Sequence, residues 1–181
     1  MIAAVGAFAQ FNSLVGNNTK DEMSRYLDDN AHTVVKPSGA GFRIDFPVPP
    51  SRQSEVVSSG VSSFTAPRDT VLVDDEAKFE VVWFGLPASL TATPTRLLNA
   101  LVSLQIRQFN GTKIAVAPQA RLDGAIIRDF VFRNVDPDGA KRYFDERLVL
   151  EGRKVWVVRV SSHLRRDEAF RKFAGSFAFT G

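Results

Sequence analysis

Residues 41–47 read Gly-Phe-Arg-Ile-Asp-Phe-Pro and alternate strictly between apolar and charged side chains. Successive side chains of a strand point to opposite faces, so Phe42, Ile44 and Phe46 share one face. The prolines that follow end the strand, because proline cannot donate to a sheet ladder. The stretch therefore predicts a strand over residues 42–46 that opens a β-rich core.

Most of the remaining chain has the same period of two. Further strands are predicted over residues 53–66, 71–73, 78–84, 113–117, 125–133, 141–150 and 153–160. The strongest helical pattern spans residues 94–110, and a second helix over about residues 166–175 would bury Phe170, Phe173 and Ala174. Strands joined by short turns are antiparallel. The sequence thus predicts an α+β domain in which a largely antiparallel β-sheet is flanked by helices in an α/β/α sandwich.

One predicted hairpin places charged residues side by side. If Glu151-Gly152 is a two-residue loop, Arg147 lies opposite Trp156 on the neighbouring strand. In the same register, Glu146 lies diagonal to Arg159. The sequence therefore predicts cross-strand charge contacts near the centre of the sheet.

The first 35 residues differ from the rest of the chain. Residues 2–19 carry no charge, a short helix is predicted over residues 20–27, and residues 36–41 form a Pro- and Gly-containing connector. Polar residues interrupt the charge-free run, so it is no complete membrane span of about 20 apolar residues. We divide the chain into an N-terminal helical appendage or membrane-proximal segment, residues 1–35, and a domain over residues 36–181. Both interpretations of the first segment stay open.

Composition excludes several chemistries. The chain has no cysteine, which excludes disulfide scaffolds, cysteine-ligated metals and cysteine nucleophiles, and it has only 2 histidines. Residues 38–41 are glycine-rich but lack the Gly-Lys-Ser/Thr ending of a phosphate-binding loop. The acidic run at residues 74–76 suits a hairpin tip better than a metal site. We assign no catalytic, cofactor-binding or metal-binding residue.

The small positive charge is concentrated near the C-terminus. Residues 120–181 hold 13 of the 23 lysine and arginine residues but 9 of the 20 acidic ones, a mixture typical of a solvated surface. The candidate interaction surface for an anionic partner consists of Arg165, Arg166, Arg171 and Lys172. Residues 128–133 interleave arginine with phenylalanine, but a buried central strand shows the same pattern, so nucleic acid is not favoured as a partner.

Four short motifs carry a family resemblance. They are Gly41-Phe-Arg-Ile-Asp-Phe-Pro47, Leu122-Asp-Gly124 followed by Arg128-Asp-Phe130, Gly152-Arg-Lys-Val-Trp156, and Phe173-Ala-Gly-Ser-Phe177. In this order they resemble the PsbP-like superfamily, named for an extrinsic photosystem II protein and shared with a yeast Ran-binding nuclear import factor. Trp156 stands where a tyrosine is commoner.

The resemblance implies a binding or accessory module without shared catalytic residues. Bacterial members of this superfamily are commonly exported or lipid-anchored, although this chain lacks a lipobox cysteine. We expect a non-enzymatic, extracytoplasmic domain that binds another protein and is tethered to a membrane through the N-terminal segment; a cytoplasmic location is the alternative. A second hypothesis is a carrier of a lipid or metabolite, or an enzyme, that uses a cleft between sheet and helix. The partner and the oligomeric state remain open.

Overall fold

Three helices and eleven strands lie in the part of the chain described by a computed structural model, which comprises residues 22–28, 32–58, 63–74 and 76–180. The helices are α1 (Glu22–Leu27), α2 (Pro94–Gln108) and α3 (Asp167–Ser176). The strands are β1 (Thr33–Val35), β2 (Phe42–Phe46), β3 (Ser51–Ser58), β4 (Ser63–Val73), β5 (Ala77–Gly85), β6 (Thr112–Val116), β7 (Ala120–Leu122), β8 (Ala125–Val135), β9 (Lys141–Glu151), β10 (Lys154–Ser162) and β11 (Ala178–Phe179). Both long helices lie within two residues of their predicted bounds.

A large antiparallel sheet forms the centre of the described fold. Its strands follow the order β3-β4-β5-β10-β9-β8-β6, and β7 also pairs with β8. A second sheet of three strands has the order β1-β2-β11. The strand predicted over residues 42–46 is β2 with the same bounds, but it lies in the small sheet. The largely antiparallel α+β architecture is confirmed, with this second sheet as an addition.

Each face of the large sheet carries its own apolar core. On one face, α2 packs Leu98 against side chains that include Phe130. On the other face, α3, α1 and the small sheet enclose a core in which Phe173 lies edge-on to Phe46 and Phe79, with ring centroids 4.9 and 5.2 Å apart. Helices on both faces of a sheet make the predicted α/β/α sandwich, which is confirmed.

The single strand predicted over residues 53–66 is wrong. The chain forms two strands there, β3 and β4, which pair with each other from Ser51 opposite Thr70 to Ser58 opposite Ser63. Both strands contain the serine, valine and alternating polar residues that led to the prediction, so the period of two did not reveal the reversal. The signal that was missed is Ser-Ser-Gly at residues 58–60, because these residue types favour turns.

The predicted register of the β9–β10 hairpin is also wrong, because its two-residue loop lies one position further along the chain than predicted. Its loop is Gly152-Arg153, since Glu151 pairs with Lys154. Gly152 has φ of 56°. A two-residue hairpin turn needs a positive φ at its first position, and glycine adopts such a φ without steric cost. The shift moves Arg147 opposite Val158 and places Glu146 directly opposite Arg159.

The described residues of the predicted appendage pack on the domain. Tyr26 of α1 is fully buried, and its hydroxyl donates a hydrogen bond to the carbonyl oxygen of Asp45 at 3.1 Å. Strand β1 pairs with β2 along its whole length. Residues 2–19 lie outside the described residues, so their interpretation stays a prediction, as does the boundary after residue 35. Among the described residues, no helix is long and apolar enough to cross a membrane.

Candidate functional site

The four predicted basic residues lie in or just before α3, where most of them contact the chain itself. Arg165 pairs with Asp167 at 2.5 Å, and Arg166 pairs with Glu76 at 2.6 Å. Lys172 donates to the carbonyl oxygen of Leu27 and lies over the Tyr26 ring, while Arg171 is exposed. These contacts partly neutralise the cationic charge of the segment. Its role as an interaction surface stays a prediction.

The histidines and the acidic residues of the described chain form no metal cluster. No group of three or more His, Asp or Glu side chains within the described ranges is arranged to hold a metal ion. The exposed His163 accepts a hydrogen bond from Arg142 at its Nε2, and its Nδ1 lies 3.1 Å from the Lys141 carbonyl oxygen. Those contacts occupy both ring nitrogens and are sufficient to explain the position of this histidine before α3.

A buried ion network lies between the large sheet and the end of α2. Its members are Glu55, Arg68, Lys78, Glu80, Gln105, Glu146 and Arg159. Arg159 is 1% exposed and donates from Nε to Glu146 at 2.6 Å, from Nη1 to Glu80 at 3.3 Å, and from Nη2 to Gln105 at 2.9 Å. A buried guanidinium is tolerated only when its charge and donors are satisfied in this way. The network therefore ties β5, β9 and β10 to α2.

Burial affects the two central carboxyl groups differently. Complete burial raises the pKa of Glu146 to about 7, although Arg159 opposes this shift. Burial also acts to raise the pKa of Glu80, but Arg159, Lys78 and Arg68 outweigh it and hold that pKa below its ordinary value. Both side chains are sealed from solvent, at 0% and 2% exposure. A substrate cannot reach these two carboxyl groups.

Glu146 is expected to make the protein less stable at pH 8 than at pH 5.5. Its folded-state pKa of about 7 lies above the ordinary value of 4.5, so between these values the native state holds a proton that the unfolded chain has lost. Stability therefore falls as the pH rises through this window, by about 2 kcal/mol between pH 5.5 and 8. Urea unfolding of the wild type and of Glu146→Gln at both pH values measures this difference.

The Glu146→Gln variant should lose that part of the pH dependence. Glu151→Gln is the matched control, because Glu151 lies on the same strand and is exposed. It should leave the dependence as in the wild type. Equal pH dependence in all three proteins would contradict the raised pKa of Glu146.

An open groove lies at the C-terminal end of β5, away from the turn that joins β4 to β5, on the face of the large sheet that carries α3. We call it the aromatic groove, and its volume is about 440 Å³. Its lining consists of Gly39, Ala40, Phe64, Thr65, Pro67, Trp83, Phe84, Gly85, Lys154, Val155 and Trp156. Four of these residues are aromatic, Lys154 is the one charged residue among them, and none is acidic.

The groove forms where β4 and β5 separate. Their ladder stops at the pair Arg68–Val82. The next residue on β4 is Pro67, whose nitrogen has no hydrogen to donate to β5. Beyond this point, within the described residues, β4 pairs with β3 alone and β5 pairs with β10 alone. We call this divergence the fork, with residues 63–67 and 83–85 as its two arms.

Packing around the fork holds the groove open. Trp156 is buried, and its Nε1 donates to the carbonyl oxygen of Ala40 at 3.2 Å, which fixes the connector as one wall. The Trp83 ring lies edge-on to Phe42 at 5.4 Å between centroids. A Cβ placed on Gly85 would meet no heavy atom within 4 Å. The floor therefore has space beside Gly85 that no described residue fills.

Comparison with known proteins identifies the fold. No protein-family model matches the chain, and no curated protein matches it. The chain is similar in structure to cyanobacterial PsbP (CyanoP) from Synechocystis, with a TM-score of 0.58 and 15% sequence identity over 83% of this chain and 93% of that one. The chain has a PsbP-like fold. A crystal structure of a Pseudomonas aeruginosa protein of unknown function is more distant, with a TM-score of 0.41 and 8% identity over 72% of this chain and 82% of that one.

The PsbP-like fold confirms the resemblance carried by the four motifs, but the motifs did not locate the groove. Its lining comes from three strands of the large sheet and from the connector at residues 39–40. Two local signals could have indicated it. Pro67 lies inside a strand, and Gly85 ends a strand directly after two aromatic residues. A glycine in a strand often marks close approach by another backbone or a ligand.

Proposed function

We propose that this chain is a non-enzymatic binding or accessory domain that holds another protein in the aromatic groove. The observation that carries the proposal is the open groove beside Gly85, which is lined by aromatic side chains and by no carboxylate. Centres of protein interfaces are enriched in aromatic residues and depleted of charged ones. Tryptophan is also among the residues that contribute most to binding energy.

The chemistry of the groove favours binding over catalysis. General acid–base catalysis requires a titratable side chain within hydrogen-bond reach of the reacting group. The groove lining contains no histidine, aspartate or glutamate, and its one titratable side chain is the exposed Lys154. Glu146, whose pKa burial raises to about 7, is sealed under α2. These observations support a non-enzymatic role.

The same proposal places the domain outside the cytoplasm and near a membrane. It rests on the charge-free residues 2–19 and on the exported bacterial members of the superfamily that the motifs resemble. The genomic sequence upstream of Met1 tests it. Further apolar residues behind a basic flank would support the tether, whereas an in-frame stop codon directly upstream would contradict it.

Filling the groove is expected to abolish partner binding without unfolding the domain. Gly85→Trp places an indole ring in the open space, where a Cβ meets no other atom. A photo-crosslinking amino acid at Thr65, an exposed groove residue, should capture one protein in cells of the source organism. The yield of that crosslink should fall at least tenfold in the Gly85→Trp background, as measured by mass spectrometry of the captured species.

Two controls make this experiment decisive. The same crosslinker at Lys113, which is exposed on β6 at the far edge of the sheet, should not capture that protein. The thermal unfolding midpoint of Gly85→Trp should stay within a few degrees of the wild type. Capture that is equal at both positions, or insensitive to Gly85→Trp, would reject the groove as the binding surface.

A small-molecule carrier is the second candidate, and the size of the groove favours it. Its volume of about 440 Å³ lies within the range of roughly 300–1,000 Å³ that is usual for ligand sites. The expected cleft between sheet and helix is filled on the α2 side by packed side chains such as Leu98 and Leu101, so a carrier would use the groove instead. A lipid or metabolite that raises the unfolding temperature of the wild type but not of Gly85→Trp would support this candidate.

A further inference from the structure

We infer that the aromatic groove binds an extended peptide segment of its protein partner, with a large apolar side chain beside Gly85 and an acidic residue near Lys154. This inference rests on the proposed function and specifies the partner. The free backbone of the fork, the space beside Gly85 and the charge of Lys154 support it independently.

The backbone of the fork can accept an additional strand. On one arm, residues 63–67 pair with β3 on one side and have no strand partner among the described residues on the other. On the second arm, Trp83 pairs with Trp156 and Gly85 pairs with Lys154, which leaves the side facing β4 without a strand. Unpaired backbone N–H and C=O groups are satisfied by water or by an added strand. Extended peptides use such edges for main-chain hydrogen bonds.

The two faces of the fork differ, which determines how a segment enters. Phe64 and Phe84 meet edge-on across the fork, with ring centroids 5.1 Å apart. Both rings belong to the α2-side core, so they close that face. The opposite face is the open groove between the connector and the arms. A segment can therefore enter only from the open face, and its main chain bonds to the free edge of one arm in the plane of the sheet.

The floor of the groove selects one large side chain. Alternate residues of an extended segment point the same way, so one residue in two would face the floor. The floor contains Trp83 and Trp156, which lie directly opposite each other two residues along the ladder from the Gly85–Lys154 pair, and Gly85 has no side chain to cover the space beside them. An aromatic or long aliphatic residue fills this space and buries apolar area without displacing any atom of the domain.

The charge of the groove selects an acidic neighbour for that residue. Lys154 is exposed and pairs with Gly85 across one ladder and with Glu151 across the other, and no residue of the groove lining is acidic. The second cation nearby, Arg52, lies over the Trp83 ring at 5.1 Å but is already paired with Asp69. An Asp or Glu in the segment, next to the apolar residue, adds a second carboxylate near Lys154, beside Glu151.

A library of random dodecapeptides displayed on phage tests the inference with the intact domain. Selection should enrich peptides that share an aromatic or aliphatic residue and an acidic residue at fixed spacing. Synthetic copies should bind at least tenfold more weakly to Gly85→Trp and several-fold more weakly to Lys154→Glu. Lys113→Glu, which changes the same charge at the far edge of the sheet, should bind like the wild type.

Backbone methylation distinguishes an added strand from simple side-chain contact. N-methylation of the peptide bonds that flank the apolar residue should weaken binding at least tenfold, because each methyl group removes a main-chain donor. N-methylation at the peptide terminus should have little effect. Tolerance of the internal methyl groups would overturn the inference, as would enriched peptides that bind Gly85→Trp unchanged.

The inference and the proposed function can fail separately. If the Thr65 crosslink is formed and is lost in Gly85→Trp, but no peptide is enriched, the groove binds a folded surface and the extended-segment inference is wrong. If neither the crosslink nor an enriched peptide is found, the proposed function fails as well.

Discussion

Replacing Arg159 with methionine is expected to lower the free energy of unfolding by about 3–5 kcal/mol. The substitution keeps an unbranched side chain of similar length but removes the donors that hold Glu146, Glu80 and Gln105. Glu146 would then remain fully buried with no cation at 2.6 Å, and an uncompensated buried charge costs far more than a lost surface contact. Urea unfolding at pH 8, where Glu146 ionises most fully, measures the loss.

The same substitution at an exposed pair provides the control. Arg166 bonds to Glu76 at the same distance of 2.6 Å, but their side chains are 31% and 56% exposed. Arg166→Met should therefore cost about 1 kcal/mol or less. The double variant Arg159→Met/Glu146→Leu should recover much of the lost stability, because it removes both members of the closest pair. A cost below about 1 kcal/mol for Arg159→Met would mean that the buried ion network contributes little.

Truncating Tyr26 to alanine is expected to cost about 3–4 kcal/mol. The side chain is fully buried, its ring lies edge-on to Phe79 with centroids 5.7 Å apart, and its hydroxyl donates to the Asp45 carbonyl. The truncation leaves a cavity between α1, α3 and the large sheet, which the surrounding residues can fill only in part. Chemical denaturation with tryptophan fluorescence measures the loss.

Tyr26→Phe separates the hydroxyl from the ring. It should cost about 1 kcal/mol, the value of one hydrogen bond. A large cost for Tyr26→Ala would show that α1 belongs to the cooperative unit of the domain, although it precedes the sequence boundary at residue 35. A cost below about 1 kcal/mol for Tyr26→Ala would instead support a separable appendage.

Local patterns predicted most of the longer elements of the fold, but they missed the short strands β1, β7 and β11 and did not show which strands share a sheet. The alternation of Phe42, Ile44 and Phe46 specified β2 completely because the physical rule involves neighbouring residues alone. Which sheet β2 joins depends on β1 and β11, and β11 lies more than 130 residues further along the chain. The β9–β10 register depended on which residue adopts positive φ at the turn, and glycine at position 152 allowed two choices of loop.

More of the buried ion network than of the aromatic groove could be predicted from the sequence. The hairpin prediction brought Glu146 near Arg159, so part of the buried ion network was visible, whereas Glu80 and Gln105 come from elements whose packing no local pattern encodes. The aromatic groove depends on the divergence of two strands. The period of two places Trp83 on the same face of β5 as Phe79, but its exposure to a groove follows from where the β4–β5 ladder stops.

The fork has a consequence for the evolution of this fold. The residue at the point where β4 and β5 separate is Pro67, and one codon change there would supply the backbone hydrogen that the ladder lacks. A descendant could thus lengthen its sheet and close the groove, or reopen it, without altering either core. A single substitution at this position can therefore change the length of the β4–β5 ladder, and with it the width of the groove, while the residues of both cores stay the same.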